Sequence, residues 1–250
     1  MDRRSLLKTF AGLAACPLCS SRSFAAEAAH WSYEGATGPA KWGDLDAASK
    51  TCTVGAQQSP IDIGPTITSQ LPPLKLAWAK KADTIVNNGH TIQVNFAEGS
   101  GLKLGDADYK LVQLHFHRPS EHLVAGRNFP MEAHFVHQGS GGLAVIGVLL
   151  VEGASNPTFG KIIAGMPKAE GPPVPAPAGI DPNALLPAEL SYYRYSGSLT
   201  TPPCSEVVEW LVLTNPVPVA AADVASFAKL YPNNARPVQQ DNRRFVLRSN

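Results

Sequence analysis

Charge, long apolar runs, helical periodicity and cysteine are all scarce in this sequence. Only 16% of its 250 residues are charged, and 21 Lys and Arg against 20 Asp and Glu leave a net charge of +1. With no basic excess to neutralise phosphates, a nucleic-acid binder is excluded. The longest apolar run, residues 143–151, is far below the roughly 20 residues a membrane-spanning helix needs, and it reads as a buried strand. Only residues 156–166 and 220–231 suggest helices, and no HExxH pattern of a zinc-protease helix is present. A hydrophobic content of 44% still supplies a sizeable core.

Two of the four cysteines, Cys16 and Cys19, fall in an N-terminal segment that reads as an export signal. Arg3, Arg4 and Lys8 precede a short apolar run, and small residues follow around Ala25 to Ala29. The Arg3-Arg4-Ser5-Leu6-Leu7-Lys8 stretch resembles a twin-arginine leader, so residues 1–28 are expected to be removed and the protein to reach the periplasm. Leu13-Ala14-Ala15-Cys16 also resembles a lipoprotein acylation site, which makes a lipid anchor through Cys16 the alternative. Cys52 and Cys204 then remain. In an oxidising compartment they are expected to form one disulfide instead of two free thiols. Closing so long a loop stabilises by about 5 kcal/mol in the chain-entropy model, before native strain is subtracted.

What is present is β-type pattern. Residues 84–86, 91–96, 101–104, 109–117, 131–137, 143–151, 191–195 and 207–213 read as strands, separated by turn residues such as Asn87-Asn88-Gly89. Residues 171–187 are too rich in proline for helix or strand and read as an ordered surface loop. One mainly antiparallel β domain over residues 29–250 is expected, without internal repeats.

Five of the seven histidines, His115, His117, His122, His134 and His137, crowd into residues 113–138. Strand alternation puts Gln113, His115 and His117 on one face, with Leu114 and Phe116 on the other. In the next strand Glu132, His134 and Val136 share a face, opposite Ala133, Phe135 and His137. If the two strands pair, three imidazoles converge in an apolar setting. That set suits Zn²⁺ with a fourth position left open, as in a catalytic site. Gln113 and Glu132 each lie two residues before a histidine whose outer ring nitrogen they can hold. A lone strand histidine is more often a core residue, and His137 and His122 are read that way. His30 carries no signal.

On His115-Phe116-His117, Glu132-Ala133-His134-Phe135-Val136-His137 and Ser196–Glu206 (SGSLTTPPCSE), the chain resembles an α-class carbonic anhydrase. Residues 55–63 (GAQQSPIDI), 87–94 (NNGHTIQV), 234–243 (NARPVQQDNR) and His30-Trp31-Ser32-Tyr33 match in the same order. The resemblance implies a large, twisted, mostly antiparallel central sheet with a few short peripheral helices, and zinc at the base of a conical cleft. It implies reversible hydration of CO2 to bicarbonate and a proton. Arg118-Pro119-Ser120 follows the second of these histidines, His117, and the segment up to Glu121 is shorter than in the longer animal forms of the family, so the pattern resembles the bacterial members.

The same resemblance assigns roles. His115, His117 and His134 match the zinc ligands, Gln113 and Glu132 the groups behind them, and Asn234 offers its backbone carbonyl to His117. Thr200 matches the residue that orients the attacking hydroxide and Glu121 the acid that accepts its hydroxyl proton. A carboxylate can only accept, so Thr200 must point its O–H at Glu121. Val136, Val145, Leu199 and Trp210, with Thr201 beside them, match the wall on which CO2 rests. His90 matches the proton shuttle, with Tyr33 and Asn88 ordering the intervening waters. Cys52 and Cys204 match the disulfide of exported members and are expected to brace the Thr200 loop.

Two alternatives accompany this reading. A non-catalytic carbonic-anhydrase-like binding module would typically lack one of the ligand histidines, and all three are here. A zinc hydrolase acting on esters or peptides would need a motif that is missing. The expected partner is a small molecule, CO2 or bicarbonate, and the sequence carries no signal of oligomeric state.

Overall fold

Where β-branched and aromatic residues alternate, the chain forms strands; helices are confined to the periphery. The structure, a computed structural model, describes residues 30–79 and 81–250. The leader read over residues 1–28, with Cys16 and Cys19, lies outside the described residues.

The first strands are β1 (Asp62–Ile63), β2 (Ile67–Ser69), β3 (Lys75–Ala77), β4 (Thr84–Asn87), β5 (Ile92–Asn95) and β6 (Gly101–Leu104). Then follow β7 (Ala107–His117), β8 (Leu123–Val124), β9 (Met131–Gly139), β10 (Gly142–Glu152) and β11 (Val174–Pro175). The last are β12 (Tyr192–Gly197), β13 (Val208–Leu213), β14 (Val217–Val219) and β15 (Leu247–Ser249). Among the described residues, 13 strands form one sheet along the path β11-β4-β5-β7-β9-β10-β13-β12-β15-β2, with β14 on β10, β6 on β7 and β3 on β6. Strands β1 and β8 make a separate parallel pair. Pairing in the large sheet is mostly antiparallel, as expected; β10 with β13, β10 with β14, and β15 with β2 are the parallel exceptions. Strand β10 has neighbours on both sides and is buried on both faces, which is why residues 143–151 read as an unbroken apolar run.

The sheet separates two apolar clusters. Leu114, Phe116, Ala133, Phe135, Ala144 and Ile146 pack with Phe159 and Phe227 on one side. Val145, Leu149, Tyr195, Trp210 and Val212 pack with Ile61 and Ile63 on the other. Each fully buried Phe on the first side stabilises by about 2–3 kcal/mol relative to exposure. With the odd residues of β9 committed there, Glu132, His134 and Val136 must face the second side. The face assignment read from alternation is the one observed.

Helix α1 (Trp42–Leu45) and helix α2 (Thr51–Val54) are single turns that, with short 3₁₀ segments from Gly35 to Lys50, carry the chain from Trp31 to Cys52. Sequence periodicity had no means of showing them. Helix α3 (Pro157–Gly165) starts where Asn156 Oδ1 accepts from the Thr158 and Phe159 N–H groups, so Asn156 is its cap and not its first residue. Helix α4 (Ala221–Ala228) is shorter than the expected 220–231: the Leu230 N–H donates to Phe227 O in a tighter closing turn, and Pro232 disfavours helix at Tyr231. The proline-rich loop is also corrected. It contains β11, which adds to the edge of the sheet at β4, and a 3₁₀ turn, Pro182–Leu185, that buries Leu185. A two-residue edge strand leaves few backbone donors for proline to remove, which is why proline is tolerated there.

Candidate metal centre and its surroundings

Register brings the histidines together. Strands β7 and β9 pair antiparallel with His115 opposite His134 and His117 opposite Glu132, after a bulge between Leu111 and Gln113. One ring nitrogen from each of His115, His117 and His134 lies within 4.8 Å of the others.

The outer nitrogens are all engaged. His115 Nδ1 donates to Gln113 Oε1 at 2.8 Å, and His117 Nδ1 donates to the Asn234 carbonyl at 2.8 Å. His134 Nε2 donates to Glu132 Oε1 at 2.9 Å. Each acceptor fixes a tautomer, so the inward atoms are three bare lone pairs: His115 Nε2, His117 Nε2 and His134 Nδ1. His117 Nε2 is buried and has no protein partner, which is costly unless another atom belongs there. The donor set fits a divalent metal of the zinc type.

Electrostatics agree with that fit. Burial holds His115 well below the usual imidazole range, helped by His117 and His134. It pushes His117 down to about 4 and lowers His134 as well. Three neutral imidazoles at neutral pH are what a metal requires.

His122, Glu132 and His134 also lie close enough to hold a metal. Chemistry argues against that group. Both nitrogens of His122 are spent, Nδ1 on Glu132 Oε1 at 2.7 Å and Nε2 on the Tyr195 hydroxyl at 2.6 Å. Glu132 is fully buried and also accepts the N–H groups of Glu121 and His122, at 2.9 and 2.8 Å. Burial pushes its carboxyl up, yet the surrounding donors of His122 and His134 outweigh burial and hold it well below the usual range. His122, read from sequence as structural, is thus the partner that keeps Glu132 in place. His137 faces the other side as expected; its Nδ1 donates to Phe135 O at 2.9 Å, and its ring stacks on Trp78.

Glu121 is 2% exposed and its Oε1 accepts the Arg236 N–H at 2.8 Å. Its Oε2 lies 3.9 Å from His134 Nδ1. Burial raises its carboxyl to about 7, with His134, the Arg236 N–H and the Thr200 hydroxyl pulling the other way. Thr200 is buried on a loop held at both sides: Leu199 N–H donates to Ser205 O at 3.0 Å, and Cys204 N–H donates to Thr201 O at 2.9 Å. A disulfide joins Cys204 to Cys52, as expected. Arg236, which sequence reasoning passed over inside NARPVQQDNR, ties this corner together. Its guanidinium donates to Ser59 O and Cys52 O at 2.8 and 3.0 Å.

The residues read as an apolar wall form one row across three strands. Val136 pairs with Val145, and Val145 pairs with Trp210. The Trp210 ring sits 4.8 Å from that of His134, edge-on, and Leu199 packs against the same cluster. Tyr33 is partly buried and is pushed well above its usual range, first by burial and then by Glu121 and Tyr231. His90 is not among the converging histidines. It sits on the turn between β4 and β5, its ring stacked on Trp31, with His30 beside it. His30, given no signal in the sequence, is therefore part of the surroundings of His90. Gln93 is a further polar residue that alternation alone did not single out: it pairs with His115 and accepts from Asn88 Nδ2 at 3.5 Å.

A large, mostly antiparallel sheet carrying three convergent neutral histidines beside a buried carboxylate and an apolar wall is the signature of a β-sheet metalloenzyme. Residues 37–250 match the model of the eukaryotic-type carbonic anhydrases, so the chain belongs to that family, in its alpha class. It is 44% identical over 236 residues to a carbonic anhydrase of Pectobacterium carotovorum, covering 92% of this chain and 95% of that one. With a carbonic anhydrase of Klebsiella pneumoniae the identity is 40% over 245 residues, covering 96% and 100%. The solved alpha-carbonic anhydrase of Thermovibrio ammonificans, in complex with the inhibitor sulfanilamide, superposes with a TM-score of 0.85 at 43% identity, covering 88% of this chain and 99% of that one.

Proposed function

We infer from the bare, buried Nε2 of His117, set against two further bare imidazole nitrogens, that His115, His117 and His134 hold Zn²⁺. The chain is a carbonic anhydrase and hydrates CO2 reversibly: CO2 and water give bicarbonate and a proton. Zinc, when bound, supplies a nucleophile at neutral pH by lowering the pKa of water to about 7, an established property of catalytic zinc.

The chain's own residues do the rest. Gln113, Glu132 and the Asn234 carbonyl fix the three rings, so no ring reorientation is needed at the moment of reaction. Glu121, as a carboxylate, accepts the Thr200 O–H. The lone pairs of Thr200 then turn toward the reacting oxygen and orient it, which is a positional contribution. Val136, Val145, Leu199 and Trp210, with Thr201 at the loop edge, present an apolar surface that suits an uncharged substrate without strong hydrogen-bonding groups. Proton export falls to His90, reached past Tyr33 and Asn88, because a partly exposed imidazole can accept a proton and release it to buffer. Residues 1–28 act as an export signal in this reading, and the Cys52–Cys204 disulfide supports an oxidising compartment such as the periplasm. Among the described residues no helix is long and apolar enough to cross a membrane.

The experiment is zinc titration of residues 29–250 beside His117→Ala. One tightly held zinc per chain, lost in the variant, is expected. Equal zinc binding by both proteins would overturn the ligand assignment. The binding-module alternative has no observation in its favour, since every position it would lack is present.

A further inference from the structure

His90 lies at the tip of a tightly built turn. Asn87 Oδ1 accepts from the Gly89 N–H at 3.1 Å, and Asn88 Oδ1 accepts from the His90 and Thr91 N–H groups at 3.0 and 2.9 Å. Gly89 has φ +83°, and a Cβ placed there would come within 2.8 Å of Glu170 Oε2. The carboxylate therefore lies over the backbone of the turn. Its segment is tied to the same turn from both sides of Glu170. Asn87 Nδ2 donates to Pro167 O, and Gly171 N–H donates to Asn87 O, each at 3.1 Å. On its other side the His90 ring stacks on Trp31, with centroids 3.6 Å apart and planes 9° from parallel, and the His30 ring follows at 5.7 Å.

The titratable groups facing the turn are His30, Glu170 and Tyr231. Burial and His30 lower His90, and Glu170 raises it. Tyr231 hydrogen-bonds Asn87 Oδ1 and is pushed up to about 12, first by burial, so it is uncharged at neutral pH. Glu170 is thus the one anionic group among these three.

We propose that Glu170 is a positioning residue of the proton-exit path, a nearby counter-ion of the imidazolium that forms on His90. The inference rests on His90 being the proton acceptor. The imidazole takes up a proton, the resulting imidazolium is stabilised by the Glu170 carboxylate beside the adjoining Gly89, and a buffer base removes the proton and restores the imidazole. Glu170 bonds to neither substrate nor proton. The ordinary role for an exposed glutamate is solvation of a loop. Here the loop is fastened by two hydrogen bonds to the turn that carries His90, and a glycine leaves room for the carboxylate.

The test compares the zinc-loaded enzyme with Glu170→Gln, His90→Ala and the double variant. In Glu170→Gln the His90 ring protons, followed by NMR, are expected to titrate at lower pH, with the difference shrinking as salt rises. Turnover in weakly buffered solution should fall about 1.5- to 5-fold, the range of an exposed ion pair, with kcat/KM unchanged and the loss repaired by imidazole buffer. In the His90→Ala background Glu170→Gln should change nothing. An unshifted His90 titration, or an equal loss of turnover without His90, would overturn the inference and leave the His90 assignment standing. Unchanged turnover in His90→Ala alone would remove the acceptor role, and this inference with it.

Discussion

His122 and His134 donate to the same oxygen, Glu132 Oε1, at 2.7 and 2.9 Å. One carboxylate thereby orients a ring of the metal centre and locks a second ring that is itself held by Tyr195. Four N–H groups converge on Glu132, and an amide in its place can accept at only one of its two atoms. Glu132→Gln should weaken zinc binding about 10- to 100-fold, measured by competition with a chelator. Unchanged affinity would mean that Glu132 serves folding alone.

In the proposed function Thr200 acts through position. Thr200→Ala removes the hydroxyl that Glu121 orients, and kcat/KM for CO2 should fall about 100-fold with zinc content unchanged. Thr200→Ser keeps the hydroxyl and should retain most of the rate. Equal losses in the two variants would show that the methyl group, not the hydroxyl, matters.

Removing the disulfide by Cys52→Ser with Cys204→Ser should cost about 2–5 kcal/mol of stability in urea unfolding. Because Cys204 N–H also bonds Thr201 O, activity should drop as well, through the Thr200 loop, while zinc affinity stays close to normal. A matching loss of zinc affinity would contradict this division between loop and metal centre.

His137 supplies a pH test away from the metal. Burial lowers it from 6.5 to about 4, so between those values the unfolded chain binds a proton that the native one does not. Stability is then fully present above about pH 6.5 and is lost as pH falls toward 4. The loss is on the order of 3 kcal/mol for this group. In His137→Gln the slope of unfolding free energy against pH should flatten across that window, even if the variant is less stable throughout. An unaltered slope would refute the assignment.

Much of this was legible in the sequence because the site lies on two long strands. Alternation over residues 109–117 and 131–137 separates Gln113, His115, His117, Glu132 and His134 from Leu114, Phe116, Ala133 and Phe135 without knowledge of the fold. The antiparallel sheet and its main strands follow from the same period. The rest depends on contacts distant in sequence. Arg236 reaches Glu121, Ser59 and Cys52 only through tertiary packing. His122 becomes a support for Glu132 only because the irregular segment after Pro119 folds back onto β9. The short helical turns before Cys52 are too brief to show a period, and the meeting of His30, Glu170 and His90 joins three separate loops.

In the proposed function three histidines hold a zinc that the surrounding residues put to use on CO2. Stopped-flow CO2 hydration by residues 29–250, with zinc content measured on the same sample and His134→Ala beside it, tests it most directly. Fast hydration with about one zinc per chain is expected, both lost in the variant. A folded, zinc-loaded protein that does not hydrate CO2 would contradict the account.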